Sequence, residues 1–447
     1  MNKDLTVGKP YSVIWRFVLP MLFSMLLQNV YNIADTMIAG RFIGDHALSA
    51  IGSSSSVIML FMQVANGLNA GCAVVISQMF GAKKFVHLKS SYTTAIITVA
   101  ISSIILTIAG LLLARPIMTA LQTPAAIMED SLVYLNIYYY GMFFLFIYNA
   151  CNGIFTALGD SRTPLMFLIF SSVLNIILDL VFVTVWEFGI AGIAWATFAA
   201  QGIATVLSFI MLQRRITKMR LTKKHKIPIY NVKILGKLTY VAVPSILQSS
   251  FVSVGNIFVQ AVINGFGPAA IAGFTVGMRM SVLAINAMGT AANGVSAFTA
   301  QNIGARKFDR VPGGFKAGLI LSWIFVLPLF IIFIVYPDLF TNMFMNDPKA
   351  SIDAVTISNG FIQFLAPFYP ILAVKLVCDC VLRGAGAMKT FMVATFIDLS
   401  LRVILTYTLA PIAGYKALYF AWAGGWVIAS ALSYVFYKQG HWKRHMV

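Results

Sequence analysis

The sequence predicts an all-α polytopic membrane protein, with twelve transmembrane helices in two pseudo-symmetric six-helix lobes, parallel repeats and both termini cytoplasmic. Three observations predict it. First, 59% of the 447 residues are hydrophobic and 10% charged, against roughly 45 to 50% apolar and about 25% charged in a soluble domain. The 32 basic and 14 acidic residues cannot cover a globule of this size, which excludes an ordinary soluble enzyme. Second, polar and Gly/Pro-marked breaks divide the chain into twelve stretches of about 20 or more mostly apolar residues, enough to cross ~30 Å of hydrocarbon at ~1.5 Å per residue. Third, the basic residues fall on alternate connections.

The first span covers residues 11–39. Its early positive charge and long apolar run, with no small-residue cleavage site, read as a helix that stays and not as a removed signal peptide. Spans two to six cover 47–79, 90–113, 131–157, 164–186 and 190–213. After the sixth comes RRITKMRLTKKHKIP, which between two spans reads as a cytosolic linker and not as a nucleic-acid patch. Spans seven to twelve cover 239–263, 269–300, 314–335, 352–382, 390–411 and 416–437. All are helices, since a closed barrel would show shorter strands alternating in polarity. With the N-terminus placed inside, 24 Lys and Arg lie on inner connections and tails, and 4 (Arg41, Arg115, Lys349 and Lys416) on outer ones. That is the positive-inside pattern, so the net charge of +18 is a topology signal and no nucleic-acid partner is expected.

Cysteine and histidine suggest no metal or catalytic centre. Cys72, Cys151, Cys378 and Cys380 fall in apolar stretches, while His46, His87, His225, His441 and His445 lie in connections or the tail. Neither a disulfide framework, a zinc site, a cofactor nor a membrane-enzyme constellation is indicated.

SQMFGAKKF (Ser77 to Phe85) recurs as AQNIGARKF (Ala300 to Phe308), an offset of 223 residues and half the chain. Leu19-Pro20 is echoed by Val243-Pro244, and GDSRT (Gly159 to Thr163) by GAMKT (Gly386 to Thr390) at an offset of 227. Two homologous halves follow: a lobe over 1–213, a basic cytoplasmic linker over 214–238 and a lobe over 239–447. Because six is even, both halves enter the membrane from the same side. Such parallel repeats suit transporters that rock one lobe against the other better than channels built from several subunits.

Eight ionisable residues remain in or at the edge of the spans: Arg16, Asp35, Asp179, Arg279, Lys375, Asp379, Asp398 and Arg402. Each costs roughly 2.5 to 3.5 kcal/mol or more at the bilayer centre and needs a partner or a purpose. Arg16 can snorkel, and Lys375/Asp379 and Asp398/Arg402 are i, i+4 pairs on one helix face. Asp35 and Asp179 have no base one turn away, but Asn175 shares a face with Asp179, and Thr197 lies at similar depth. Two carboxylates together in a low-dielectric cavity require a proton or a metal cation. The second half lacks them, since Asp35 maps to Phe258 or Val259 and Asp179 to Thr406. A feature found in one half of a duplicated fold points to function over scaffolding.

These residues resemble the multidrug and toxic compound extrusion (MATE) family of transporters over essentially the whole chain. The resemblance rests on QNVYNIADTMIAGRFIG in the first helix, the duplicated Q-x-x-G-A-[KR]-K-F, and LNIILDLVF followed by GIAGIAWATFAAQ in helices five and six. It implies a secondary antiporter of the bacterial cytoplasmic membrane, exporting cationic, amphipathic drugs or toxic organic compounds by alternating access, in exchange for H+ or Na+. It further implies that Asp35, Asp179, Asn175 and Thr197 bind the coupling ion, as the metal ligands if that ion is Na+, with Tyr134 joining the network and Pro20 allowing the first helix to bend. Val252 and Leu372 stand where the best-known sodium-coupled branch carries acids, so this chain is expected nearer the branch relying on an N-lobe site. A soft substrate lining is expected from Met278, Arg279 and Met280, and the chain is expected to work as a monomer. A flippase for a lipid-linked precursor is the alternative, which would want several basic residues to hold pyrophosphate.

Overall fold

A computed structural model describes residues 4–219, 228–344 and 352–443, and among these the regular structure is helical. Lys3, Lys349, Arg444, His225, His445 and residues 220–227 of the basic linker lie outside the described residues. The first six spans are α1 (Pro10–Phe42), α2 (Asp45–Gly81), α3 (Phe85–Ala120), α4 (Ala125–Ala157), α5 (Arg162–Leu180, continued by a π-turn, Val181–Val185) and α6 (Gly189–Lys218). After these come α7 (Val232–Asn264), α8 (Pro268–Gly304), α9 (Val311–Val335) and a short α10 (Pro337–Phe344) with no counterpart among the expected spans. The tenth span is α11 (Ile352–Leu365) and α12 (Tyr369–Ala385), and the last two are α13 (Met388–Ala413) and α14 (Ala417–Lys438). The twelve spans are thus all present, most of them longer than their apolar stretches because the end turns carry polar residues.

The tenth span differs from expectation. A single helix over 352–382 is interrupted by a 3-10 turn, Ala366–Phe368. Pro367 and Pro370 lack the N–H that the interior of a helix needs, so the backbone tightens there. The final apolar stretch, Met388–Lys438, is long enough for one very long helix but folds back at Gly414–Lys416, where Gly414 takes φ 59°. A left-handed turn of that kind suits glycine.

The two copies of the repeated motif build the same turn. Lys83 and Arg306 both adopt a left-handed conformation (φ 55° and 58°) at the ends of α2 and α8. Lys84 N–H then reaches Met79 O (3.1 Å) and Lys307 N–H reaches Asn302 O (2.8 Å), the same bond at the 223-residue offset.

The chain forms two compact units, Leu19–Ile246 and Leu5–Val18 with Leu247–Val447. In the first, α4 is the central helix, packed on α2, α3 and α6. Gly71 on α2 lets the opening half of α7 approach, since a Cβ there would lie 2.8 Å from Leu238 O and 2.9 Å from the Ala242 Cβ. In the second, the broken tenth span takes the central place and packs on α8, α9 and α14. Gly294 on α8 leaves room for α1, as its Cβ would lie 2.3 Å from Val18 Cγ2. The opening segment is tied to the second copy of the motif. Gln301 Oε1 accepts from Leu5 N–H (2.9 Å), and Lys307 Nζ donates to Thr6 O (2.9 Å). All four cysteines are free and buried.

Candidate cation site

The first unit gathers Asp35 from α1, Tyr134 from α4, Asn175 and Asp179 from α5 and Thr197 from α6. Asn175 and Asp179 share a face because they are one turn apart near the end of α5. Immediately beyond Asp179 the helix widens into the Val181–Val185 π-turn, where Trp186 N–H bonds to Val181 O (3.0 Å). Such bulges are common at functional sites. Phe182 stacks on Trp186 at 4.8 Å, and the chain reverses through Glu187 (φ 54°) and Gly189 (φ 55°) into α6. That reversal brings Thr197 alongside Asn175.

The polar groups are closely engaged. With its amide oriented as the hydrogen bonding requires, Asn175 donates to Asp179 Oδ2 (3.0 Å) and accepts from Thr197 N–H (3.2 Å). The same amide lies 3.3 Å from Thr197 Oγ1. Asp35 and Asp179 are within hydrogen-bonding contact of each other, which two ionised carboxylates would not tolerate in a buried setting. Asp179 is 0% and Asn175 2% exposed, and one oxygen of each carboxylate (Asp35 Oδ1 and Asp179 Oδ1) is buried with no hydrogen-bond donor. Each carboxylate therefore keeps one buried acceptor atom with no base to satisfy it. Oxygen-only donors of this kind suit a proton or a hard cation and not a soft transition metal. No group of three or more His, Cys, Asp or Glu placed to hold a metal occurs among the described residues.

Tyr134 is buried in the core around Ile137, Val183 and Ile193, within electrostatic reach of both carboxylates. Tyr31 is a member that the sequence reading missed. Its hydroxyl contacts Thr197, and it also lies within reach of Asp35 and Asp179. Tyr31 precedes Asp35 by one helical turn, a spacing that does not by itself tell a packing tyrosine from a bonding one.

Other singled-out residues lie elsewhere. Pro20 sits inside a continuous α1, where Ser24 Oγ bonds back to Pro20 O (2.9 Å). In the second unit, Met280 is buried in the core, Met278 packs partly against that core and Arg279 is exposed, so the three do not line one surface. The two expected ion pairs form, Lys375 to Asp379 at 2.7 Å and Arg402 to Asp398 at 3.3 Å. A cross-contact from Lys375 to Asp398 (3.8 Å) joins them into one cluster.

A family model described as MatE matches residues 20–181 and again 244–408. The two matched stretches begin 224 and end 227 residues apart, in line with the offsets read between the halves. A Bacillus subtilis (strain 168) protein named probable multidrug resistance protein YpnP is 27% identical over 448 residues, covering 98% of this chain and 97% of that protein. Among solved structures, a MOP superfamily transporter from Pyrococcus furiosus Vc1 (DSM3638) matches with a TM-score of 0.91 at 20% identity, over 98% of this chain and 97% of that one. A MATE crystal structure in the bent conformation matches with a TM-score of 0.89 at 21% identity, over 98% and 96%. At those identities the structural likeness speaks for the fold alone.

Proposed function

The chain belongs to the MatE family, and from that premise we propose that it exports cationic, amphipathic drugs in exchange for a proton or sodium ion taken at Asp35 and Asp179. It is a multi-pass membrane transporter of the multidrug efflux kind and not an enzyme. The observation that carries the ion-coupled reading is the contact between the buried Asp179 and the half-buried Asp35 carboxylates, each keeping a buried oxygen without a donor. An ion entering there removes their mutual repulsion, and its departure restores that repulsion. The site thus has two states whose balance an ion gradient can shift, which alternating access requires. Asn175, Thr197, Tyr134 and Tyr31 hold the carboxylates in place and supply further oxygens. In a sodium-coupled cycle Asp35, Asp179, Asn175 and Thr197 are the ligands, with sodium acting as cargo.

The lobes of the cycle are the halves 1–213 and 239–447, and the basic linker and both termini face the cytoplasm of a bacterial inner membrane. One chain contains both halves and suffices as the transporting unit. Pro20 gives α1 a backbone position without a hydrogen-bond donor, at which it can bend. The flippase alternative finds no supporting observation, since Lys375 is taken up by Asp379 and Asp398.

The test is efflux of a fluorescent cationic drug from proteoliposomes under imposed sodium or pH gradients. Asp35→Asn and Asp179→Asn are each expected to lower gradient-driven efflux at least tenfold. Full efflux in both variants would overturn the mechanism, and the gradient that drives the native protein identifies the ion.

A further inference from the structure

The halves of the chain can be compared atom group by atom group at the site. At the 227-residue offset, Asn175 corresponds to Arg402 and Asp179 to Thr406. Gly189 (φ 55°) and Gly414 (φ 59°) are positive-φ glycines that open the sixth and twelfth helical spans 225 residues apart, so Thr197 corresponds to Trp422. In the first unit the Asn175 amide meets Thr197, whereas in the second the Arg402 guanidinium lies over the Trp422 ring, 4.0 Å from its centroid. The same two helix positions meet in each unit, but one pair is neutral and the other carries a fixed positive charge.

That charge is paired through Nη2, while its Nε is buried without a partner. Arg402 Nη2 lies 3.3 Å from both oxygens of Asp398, and Lys375 Nζ lies 2.7 Å from Asp379 and 3.8 Å from Asp398. Ser433 Oγ donates to Asp379 Oδ1 at 2.7 Å. All four charged residues are buried, between 3% and 8% exposed. The backbone of α14 closes over Asp398, where a Cβ at Gly425 would lie 3.0 Å from Asp398 Oδ1. Two positive and two negative charges sum to zero, so the cluster needs no ion from outside.

We propose that Arg402 is a tethered cation occupying, in the second unit, the place that an exchangeable ion takes in the first, so that coupling runs through the first unit alone. A guanidinium does not leave and does not lose its proton. The duplicated fold would otherwise offer two ion sites, and Arg402 closes one of them. Its role in coupling rests on the Asp35–Asp179 reading, but the site it closes can be tested separately.

Removing Arg402 leaves two carboxylates against Lys375, a buried net charge of about −1 that must take up a small cation. The experiment counts cations bound to purified full-length protein, by radioactive sodium retention at alkaline pH and by proton uptake without sodium. Arg402→Asn, which installs the amide found at the equivalent position, is expected to bind one more cation per chain than the native protein. Asp398→Asn in the same variant should abolish the increment, and Arg402→Lys should show none. The proposal is overturned if Arg402→Asn keeps the native, Asp179-dependent binding but gains nothing. Should Arg402→Asn fail to fold, Arg402→His carries the test. Its imidazole titrates near ~6.5 in water, so the Asp398-dependent increment should appear above its titration and vanish below it, and absence at both ends overturns the proposal. Loss of native binding in Asp179→Asn tests the first-unit site by itself, so the two failures are distinguishable.

Discussion

Asp160 shows how one residue can fix a local structure and also report on it. It lies between α4 and α5, where its Oδ1 accepts from the Arg162 and Thr163 N–H groups (3.0 and 3.1 Å) and its Oδ2 from Thr163 Oγ1 (2.7 Å). The Arg215 guanidinium from α6 pairs with the same carboxylate and bonds Thr163 Oγ1 at 2.8 Å. Burial alone would push this carboxyl up, but the bonds from Arg215 and Thr163 overcome it and hold the group below its ordinary value. A depressed folded value means stability that is present above the unfolded value, near ~3.9, and lost as pH falls through the folded one. Asp160→Asn should therefore lower the unfolding temperature in detergent at neutral pH, and the gap from the native protein should close as pH drops below ~4. A gap that is constant down to the lowest pH would contradict this. Asp35 and Asp179 were legible in the sequence because neither has a base one turn away on its own helix. Tyr31 was not, because a tyrosine in an apolar helix looks the same whether it packs or bonds, and only the α1 and α6 placement distinguishes the two.

Among the elements, the spans were legible because bilayer thickness sets a minimum apolar length, and their ends were not, because helices continue past the hydrocarbon on polar residues. The break in the tenth span was readable in principle from Pro367 and Pro370, but prolines occur inside α1, α3, α7, α9 and α13 without interrupting them. In lipid a neighbouring helix or a side chain can satisfy the freed carbonyl, so the sequence alone leaves the outcome open. Helix approach depends on small residues in a similar way. Gly71 and Gly294 occupy equivalent positions at the 223-residue offset, yet they face different obstacles. A Cβ at Gly71 would meet the backbone carbonyl of Leu238, whereas at Gly294 it would meet a methyl of the Val18 side chain, where the nearest atoms are all side chain. Gly71→Ala should destabilise the protein by about 1 to 3 kcal/mol and Gly294→Ala by less, as overpacking costs depend on what must move. Thermal unfolding of the two variants in detergent checks the order, and equal losses would show that Leu238 gives way as readily as Val18 does.

For the whole molecule, the duplication was legible because a turn that needs a left-handed residue after a buried glutamine leaves a motif in each half. The asymmetry was legible only in part: the missing carboxylates of the second half could be read off, but the joining of Lys375, Asp379, Asp398 and Arg402 into one neutral cluster required the tenth and eleventh spans to pack together. Sidedness rests on the distribution of Lys and Arg, 24 on one set of connections and tails and 4 on the other. Anionic lipid and the membrane potential hold basic connections on the cytoplasmic side during insertion, so a split of this size predicts the side of every connection at once. Single cysteines can be placed at Lys84 and Arg306, on connections assigned inside, and at Arg115 and Lys416, on those assigned outside, in a chain whose four buried native cysteines are replaced by alanine. An impermeant maleimide added to intact cells should label the Arg115 and Lys416 positions and spare Lys84 and Arg306 until the membrane is opened. Labelling at the Lys84 position without labelling at Arg306 in intact cells would mean that the even number of spans between them is wrong, and with it the parallel relation of the two halves.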